Sequence, residues 1–347
     1  MFAVAPADIG GVLKNYGTFP EIKHVSELQR YDYEGGEPDS KEVRLIVKVE
    51  FASGAPLVLR FKNEADVTLG GVEKQCQFAD RLRKNGILTP YQYESNGAFA
   101  KQCQINGYDV IITVEEFVEH EIKAVDPAIA WKTGEVLAKM HNISETNDLH
   151  VPNKVLFDPF SANDLFDFRS FASLEPLIGK YEKPLFDQIM KRYHAYMDLL
   201  TPLARQPSYA VQGDISNCNL YQDPSGEIGV FDFNRCGDNR LFCDAVMQAV
   251  FEARLMDYPD GAVEDIGAKT LVSFLRGYDS VRHFSEEQQS WYPYLYALID
   301  GFWSSDIRWD DNSLTNALHR GDAEGAQKWL ETIWQRLEHM ETMNLSG

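Results

Sequence analysis

Residues 209–246 read YAVQGDISNCNLYQDPSGEIGVFDFNRCGDNRLFCDAV, and they carry more structural information than any other part of the chain. The short apolar run 209–211 ends in Gln212-Gly213, and Asp214 and Asn219 follow five residues apart in a loop. Asp223-Pro224-Ser225-Gly226 has the chemistry of a tight turn between two apolar runs. The second run, 228–231, delivers Asp232 at its end. A hairpin folded on that turn brings two acids and an amide towards one point. Phosphoryl transfer uses such a set. One carboxylate accepts the proton of the attacking hydroxyl, while an amide and a second carboxylate hold magnesium on the phosphate oxygens.

On the N-terminal side the chain reads mainly as sheet. Val43–Phe51 alternates and is β-branched, 57–61 is a second strand beyond the turn Ser53-Gly54-Ala55-Pro56, and 91–93 and 108–113 are further strands. Between them, 72–85 has helical spacing and stops at Gly86. Beyond residue 119 the pattern turns helical, with amphipathic segments at 127–141 and 184–200 and a mostly helical tail from Asp244. The expected fold class is α+β: a small β-rich lobe over 1–118 that binds nucleotide, and a larger helical lobe over 119–347 that carries catalysis and the acceptor. Arg60 and Lys62 lie two apart on one strand and so share a face. Glu73 opens the next helix. Kinases place a phosphate-holding cation and its glutamate in this order.

These residues resemble the aminoglycoside phosphotransferase and choline kinase superfamily, which has a protein-kinase-like fold. Its motif runs HGD-x4-N, then an apolar strand ending in IDF or IDW, then Asp-Ala. The chain has Gln212-Gly213-Asp214, Asn219, Phe231-Asp232-Phe233 and Asp244-Ala245, with Gln212 where the family usually has His. The resemblance spans about 43–250. It implies Asp214 as catalytic base, Asn219 and Asp232 as magnesium ligands, and ATP or GTP as phosphate donor. Leu59-Arg60 matches the family's VLK or VLR, which places Arg60 or its neighbour Lys62 on the phosphates. The strand 111–118 resembles the one that meets adenine, through backbone groups of Glu115 to Phe117. His141, in LAKMH, is expected to be structural. The only glycine-loop candidate is Gly35-Gly36.

The composition narrows the partners. Net charge is −20; residues 1–118 hold 13 Lys/Arg against 17 Asp/Glu, and 119–347 hold 20 against 36. That acidity disfavours nucleic acid and anionic membrane and suits a cationic small molecule. Around 291–311 the chain interleaves Trp291, Tyr292, Tyr294, Tyr296, Phe302, Trp303 and Trp309 with Asp300, Asp306, Asp310 and Asp311. Such a mixture suits a small hydroxyl compound bearing an amine, or a helical core with an acidic polar face. Five cysteines without a CxxC pair read as reduced thiols. The opening residues lack a basic and apolar leader pattern, so a cytoplasmic location is expected. Two activities fit: a small-molecule kinase, or a catalytically inactive kinase fold that binds nucleotide or metabolite. A protein kinase does not fit, because HRD, DFG and APE triplets are absent.

Overall fold

The structure is a computed structural model that describes residues 2–32, 43–161, 168–215, 219–254 and 257–345. Gly35-Gly36 and Cys218 lie outside these; Cys76, Cys103, Cys236 and Cys243 are free thiols. In chain order the elements are α1 Pro6–Leu13, β1 Ile22–Asp32, β2 Val43–Phe51, β3 Leu57–Asn63, α2 Leu69–Lys84, β4 Lys101–Ile105, β5 Tyr108–Glu116, α3 Pro127–Thr146, α4 Phe168–Ser173, α5 Glu175–Ile178, α6 Lys183–Leu199, α7 Thr201–Ala204, β6 Tyr209–Val211, β7 Leu220–Gln222, β8 Ile228–Val230, β9 Gly237–Asn239, α8 Leu241–Arg254, α9 Ile266–Val281, α10 Glu286–Gly301, a π-helical turn at Ser305–Trp309, α11 Leu314–Arg320 and α12 Ala323–Glu338. They divide into two compact units, and the expected α+β class is what the structure shows.

The first unit comprises Met1–Ile122, Val151–Asn153 and Cys218–Asn234. Its sheet is antiparallel with strand order β1-β2-β3-β5-β4. Alternate residues Val43, Leu45, Val47, Val49 and Phe51 of β2 join Leu57, Leu59 and Phe61 of β3 in one apolar cluster. The opposite face of β3 buries Arg60 and Lys62. Helix α2 starts three residues before the sequence pattern suggested, because the Thr68 hydroxyl accepts the Gly71 N–H at 3.1 Å and caps it. Basic residues Arg81, Arg83 and Lys84 complement the negative end of its dipole. The hairpin of β7 and β8 turns at Asp223, as the sequence suggested. It packs with this unit: Val230 N–H donates to Leu88 O at 2.9 Å, and Phe233 meets Phe78 edge-on.

The second unit comprises Lys123–His150, Lys154–Asn217 and Arg235–Gly347. Its centre is the contact of α3 with α9. A Cβ on Gly134 would meet Phe274 O at 2.1 Å, and one on Gly277 would meet Trp131 O at 2.0 Å. Only glycine at both positions lets the two backbones touch. Helix α8 is buried on all sides from Leu241 to Glu252. Its polar residues Asp244, Gln248 and Glu252 recur every fourth position, so they share one face. Strands β6 and β9 form a short antiparallel pair, and the chain leaves β6 directly into the segment holding Asp214.

Candidate active site

In the first unit the pairing register sets the chemistry. Arg60 faces Thr113 across β3 and β5, and Glu115 lies two residues further along β5, on the same side. Arg60 Nε donates to Glu115 Oε1 at 2.8 Å, and Gln92 Nε2 donates to Glu115 Oε2 at 2.7 Å. Arg60 Nη1 donates to Asp232 Oδ2 at 3.2 Å. Lys62 Nζ donates to Asn234 Oδ1, and Gln75 Nε2 donates to Asn234 O at 2.9 Å. Arg60 and Lys62 are only 8% and 6% exposed, and buried cations persist only with such partners. These residues line a small cavity of about 20 Å³, with Val72, Cys76, Ala79 and Phe233 as its apolar part.

The backbone of Asp232 is left-handed, with φ 55°. Such a conformation is uncommon outside glycine and is best tolerated by Asp and Asn. Here Asp232 Oδ1 accepts the Asn234 N–H at 3.1 Å, which closes a local turn and leaves Oδ2 for Arg60. Burial opposes the Asp232 charge, but Arg60 and Lys62 outweigh it and hold the carboxyl below its usual range. Burial likewise opposes the Arg60 charge, and Asp232 with Glu115 reverses that effect and raises its pKa. Lys62 is pushed down, by burial and then by the charge of Arg60. Asn219, 7% exposed, sits at the same open end of the hairpin as Asp232, where its carbonyl accepts the Phe231 N–H at 3.0 Å.

Two expectations for this region meet other partners in the structure. Glu73 does not pair with the strand cations. Its Oε2 accepts the N–H groups of Phe99 and Ala100, both at 2.8 Å, so it fastens α2 to the start of β4. The carboxylate beside Arg60 is that of Glu115, which reaches it from the same sheet. The N–H groups of Glu116 and Phe117, expected to face a base, are already spent: they donate to Tyr91 O and Pro56 O at 2.9 and 3.0 Å. The Phe117 ring instead carries Lys48 Nζ at 4.2 Å. The Glu115 side chain joins the cluster through Arg60 and Gln92, where the sequence pointed only to its backbone.

In the second unit Asp214 is partly exposed while its neighbours Gln212, Gly213 and Ile215 are buried. Gly213 has φ 78°, and a Cβ there would sit 2.9 Å from Arg235 O, so the Gly-Asp pair of the motif is enforced by space as well as by dihedral. Gln212 Oε1 accepts the Asp214 N–H at 2.7 Å. Gln248 Oε1 accepts the next amide, that of Ile215, at 2.9 Å. Gln248 Nε2 then donates to Asp244 Oδ1 at 3.2 Å, and His141 Nε2 meets Asp244 Oδ2 at 3.0 Å. The Tyr278 hydroxyl lies 2.8 Å from His141 Nδ1. Burial pushes the His141 pKa down against the pull of Asp244, which suits a neutral ring donating at Nε2 and accepting at Nδ1. Gln248 was not singled out from the sequence, although the spacing Asp244, Gln248, Glu252 within an apolar helix marks a buried polar stripe.

The model of the phosphotransferase enzyme family matches residues 44–284. The chain belongs to this family. It is accordingly a phosphotransferase acting on hydroxyl groups of small molecules, and a nucleotide-binding protein. Three solved structures share its fold over nearly the whole length. Amicoumacin kinase hAmiN, solved with AMP-PNP, Ca2+ and Ami, is 14% identical with a TM-score of 0.59, each chain covered to 98%. An aminoglycoside phosphotransferase from Alicyclobacillus acidocaldarius is 13% identical with a TM-score of 0.55, again at 98% of each chain. A microcompartment-associated aminopropanol kinase is 15% identical with a TM-score of 0.54, covering 95% of each. No curated protein matches the chain significantly by sequence.

For this phosphotransferase the aromatic-acidic segment reads differently in three dimensions. Trp291, Tyr292, Phe302 and Trp303 are core residues, between 0% and 6% exposed. Asp300 pairs with Arg254 and Arg336, and Asp306 with Arg336. These four aromatics build the helical core, whereas Trp309 is 65% exposed. No helix among the described residues is long and apolar enough to cross a membrane.

Proposed function

We propose that this phosphotransferase moves the γ-phosphate of ATP to the hydroxyl of a small amine-bearing alcohol, with Asp214 as the base. The hydroxyl oxygen bonds to the γ-phosphorus, the bond from that phosphorus to the β,γ-bridging oxygen breaks, ADP leaves, and the hydroxyl proton passes to Asp214. The observation that carries this reading is the buried cluster of Arg60, Glu115, Asp232 and Lys62. Its mutual bonds hold Arg60, Lys62 and the ionised Asp232 in fixed positions, an arrangement that suits a polyphosphate. Arg60 is held between two carboxylates, whereas Lys62 is bonded to the neutral amide of Asn234. We therefore assign phosphate contact to Lys62 and the organisation of the cluster to Arg60.

The donor set fits a hard divalent cation. No group of three or more His, Cys, Asp or Glu that could hold a metal occurs among the described residues. Asp232 and Asn219 offer oxygen donors, and magnesium is commonly held by one or two carboxylates while phosphate and water complete its shell. Magnesium, when bound with the nucleotide, would neutralise charge on the phosphates.

For the acceptor, support comes from the acid excess in 119–347 and from relatives named as kinases of amicoumacin, aminopropanol and aminoglycosides. ADP release from Mg-ATP should be measured with amino alcohols, aminoglycosides, choline and neutral sugars. Stimulation confined to amine-bearing alcohols is expected. Stimulation by neutral sugars alone would overturn the acceptor class, and nucleotide binding with no turnover on any acceptor would favour an inactive binding module.

A further inference from the structure

Asp214 sits between two amides whose acceptors are both glutamine side chains. Its own N–H goes to Gln212 Oε1 and the next N–H, of Ile215, goes to Gln248 Oε1. Both glutamines are sealed from solvent, at 0% and 1% exposure. They come from distant parts of the chain: Gln212 from the end of β6, Gln248 from the middle of α8. Gln248 is not free to swing. It is clamped by its second bond, to Asp244, which is itself held by His141 and through it by Tyr278. At the outer end Arg282 donates to Glu145 and Asn142.

We propose that Gln212 and Gln248 are positioning residues that hold the peptide groups on both sides of Asp214, so that the base is set by two uncharged carbonyls. The inference rests on reading Asp214 as the base. A residue whose two flanking peptides each have a fixed N–H cannot rotate its backbone without leaving a buried donor unpaired, and that loss opposes movement of the carboxyl out of line. An amide keeps its acceptor at every pH. The titratable groups near this brace stand behind Gln248: Asp244 of α8, His141 and Glu145 of α3, and Tyr278 and Arg282 of α9.

The test uses the full chain with Mg-ATP as probe and water as acceptor, so that no unidentified alcohol is needed. Hydrogen exchange, Mg-ATP affinity and ATP hydrolysis are compared for wild type, Gln248→Leu and Gln248→Glu. Amides in 212–215 should be strongly protected in wild type. Gln248→Leu should raise their exchange and cut hydrolysis roughly tenfold or more while Mg-ATP affinity stays within about twofold, the split that marks a lost positioning role. In Gln248→Glu the protonated side chain can still accept from Ile215 and donate to Asp244, so hydrolysis relative to wild type should recover as pH falls. If Gln248→Leu does not fold, wild-type exchange and the pH recovery of Gln248→Glu decide. Unprotected amides in wild type, or normal hydrolysis in Gln248→Leu, would overturn the inference alone. A wild type that neither binds nor hydrolyses Mg-ATP would overturn the reading of Asp214 as well.

Discussion

The two units bury polar groups in opposite ways. Beneath the sheet of the first unit the buried polar groups are charged, Arg60, Lys62 and Glu115, with the part-exposed carboxylate of Asp232 beside them. Behind Asp214 in the second unit they are mainly neutral and hydrogen-bonded in series: Gln212, Gln248, a neutral His141 and Tyr278 around the single acid Asp244. Burying charge is costly unless a partner is present, whereas satisfied neutral bonds cost little and fix geometry. The first arrangement suits the binding of a charged ligand. The second suits the aiming of one group. On the proposed function, the chain separates holding the phosphate from placing the base.

Arg60→Met should break the first arrangement most severely. It leaves Glu115 buried and Asp232 half-buried without the Arg60 cation, and a loss on the order of 3–5 kcal/mol is expected in denaturant unfolding. A change below about 1 kcal/mol would show that the cluster is not coupled. Glu252 tests the second arrangement, because it is its exception. Both its carboxyl oxygens are buried and without a hydrogen-bond partner, since the nearby Thr133 hydroxyl donates to Ile129 O, and burial pushes its pKa up to about 8. The folded state therefore keeps the proton that the unfolded state loses above its ordinary pKa near 4.5. Stability from this group is complete below about pH 4.5 and lost as pH rises towards 8. Glu252→Gln should therefore stabilise the protein by on the order of 3 kcal/mol at pH 7 and by little near pH 4.5. A gain that does not depend on pH would contradict a protonated Glu252.

Two smaller effects sharpen the division of labour. Lys62→Met should weaken ATP binding by about 1.5–3 kcal/mol, the strength of a charge-assisted bond, when titrated calorimetrically. Unchanged affinity would move phosphate contact to Arg60. Glu73→Ala should lower stability by about 1–3 kcal/mol through the two orphaned amides at Phe99 and Ala100, with nucleotide affinity intact. A matching fall in affinity would return Glu73 to the phosphate site.

Local signals were legible in the sequence and cross-strand ones were not. The β7–β8 hairpin was readable because Asp223-Pro224-Ser225-Gly226 is turn chemistry acting over four residues. Helix α3 was readable from its spacing and its proline start, where Asp126 caps Ala128 and Ile129. Strand β1 escaped because IKHVSELQRYD is mostly polar, and an edge strand with one partner needs few apolar residues. The partner of Arg60 escaped for a different reason. Glu115 is 55 residues away, and only the register of β3 on β5 brings it alongside. Glu73 was nearer in sequence, but α2 turns it to the backbone of Phe99 and Ala100 instead. The aromatics of 291–303 could not be sorted into core or cage, since burial is settled by tertiary packing.

The central claim is that Asp214 performs the proton transfer while the charged cluster performs the binding. It is tested most directly by comparing wild type with Asp214→Asn for Mg-ATP affinity and for acceptor-stimulated ADP release. The account predicts nearly equal affinity and a fall in turnover of roughly a hundredfold to ten-thousandfold, the range supplied by a positioned base. Normal turnover in Asp214→Asn would contradict it.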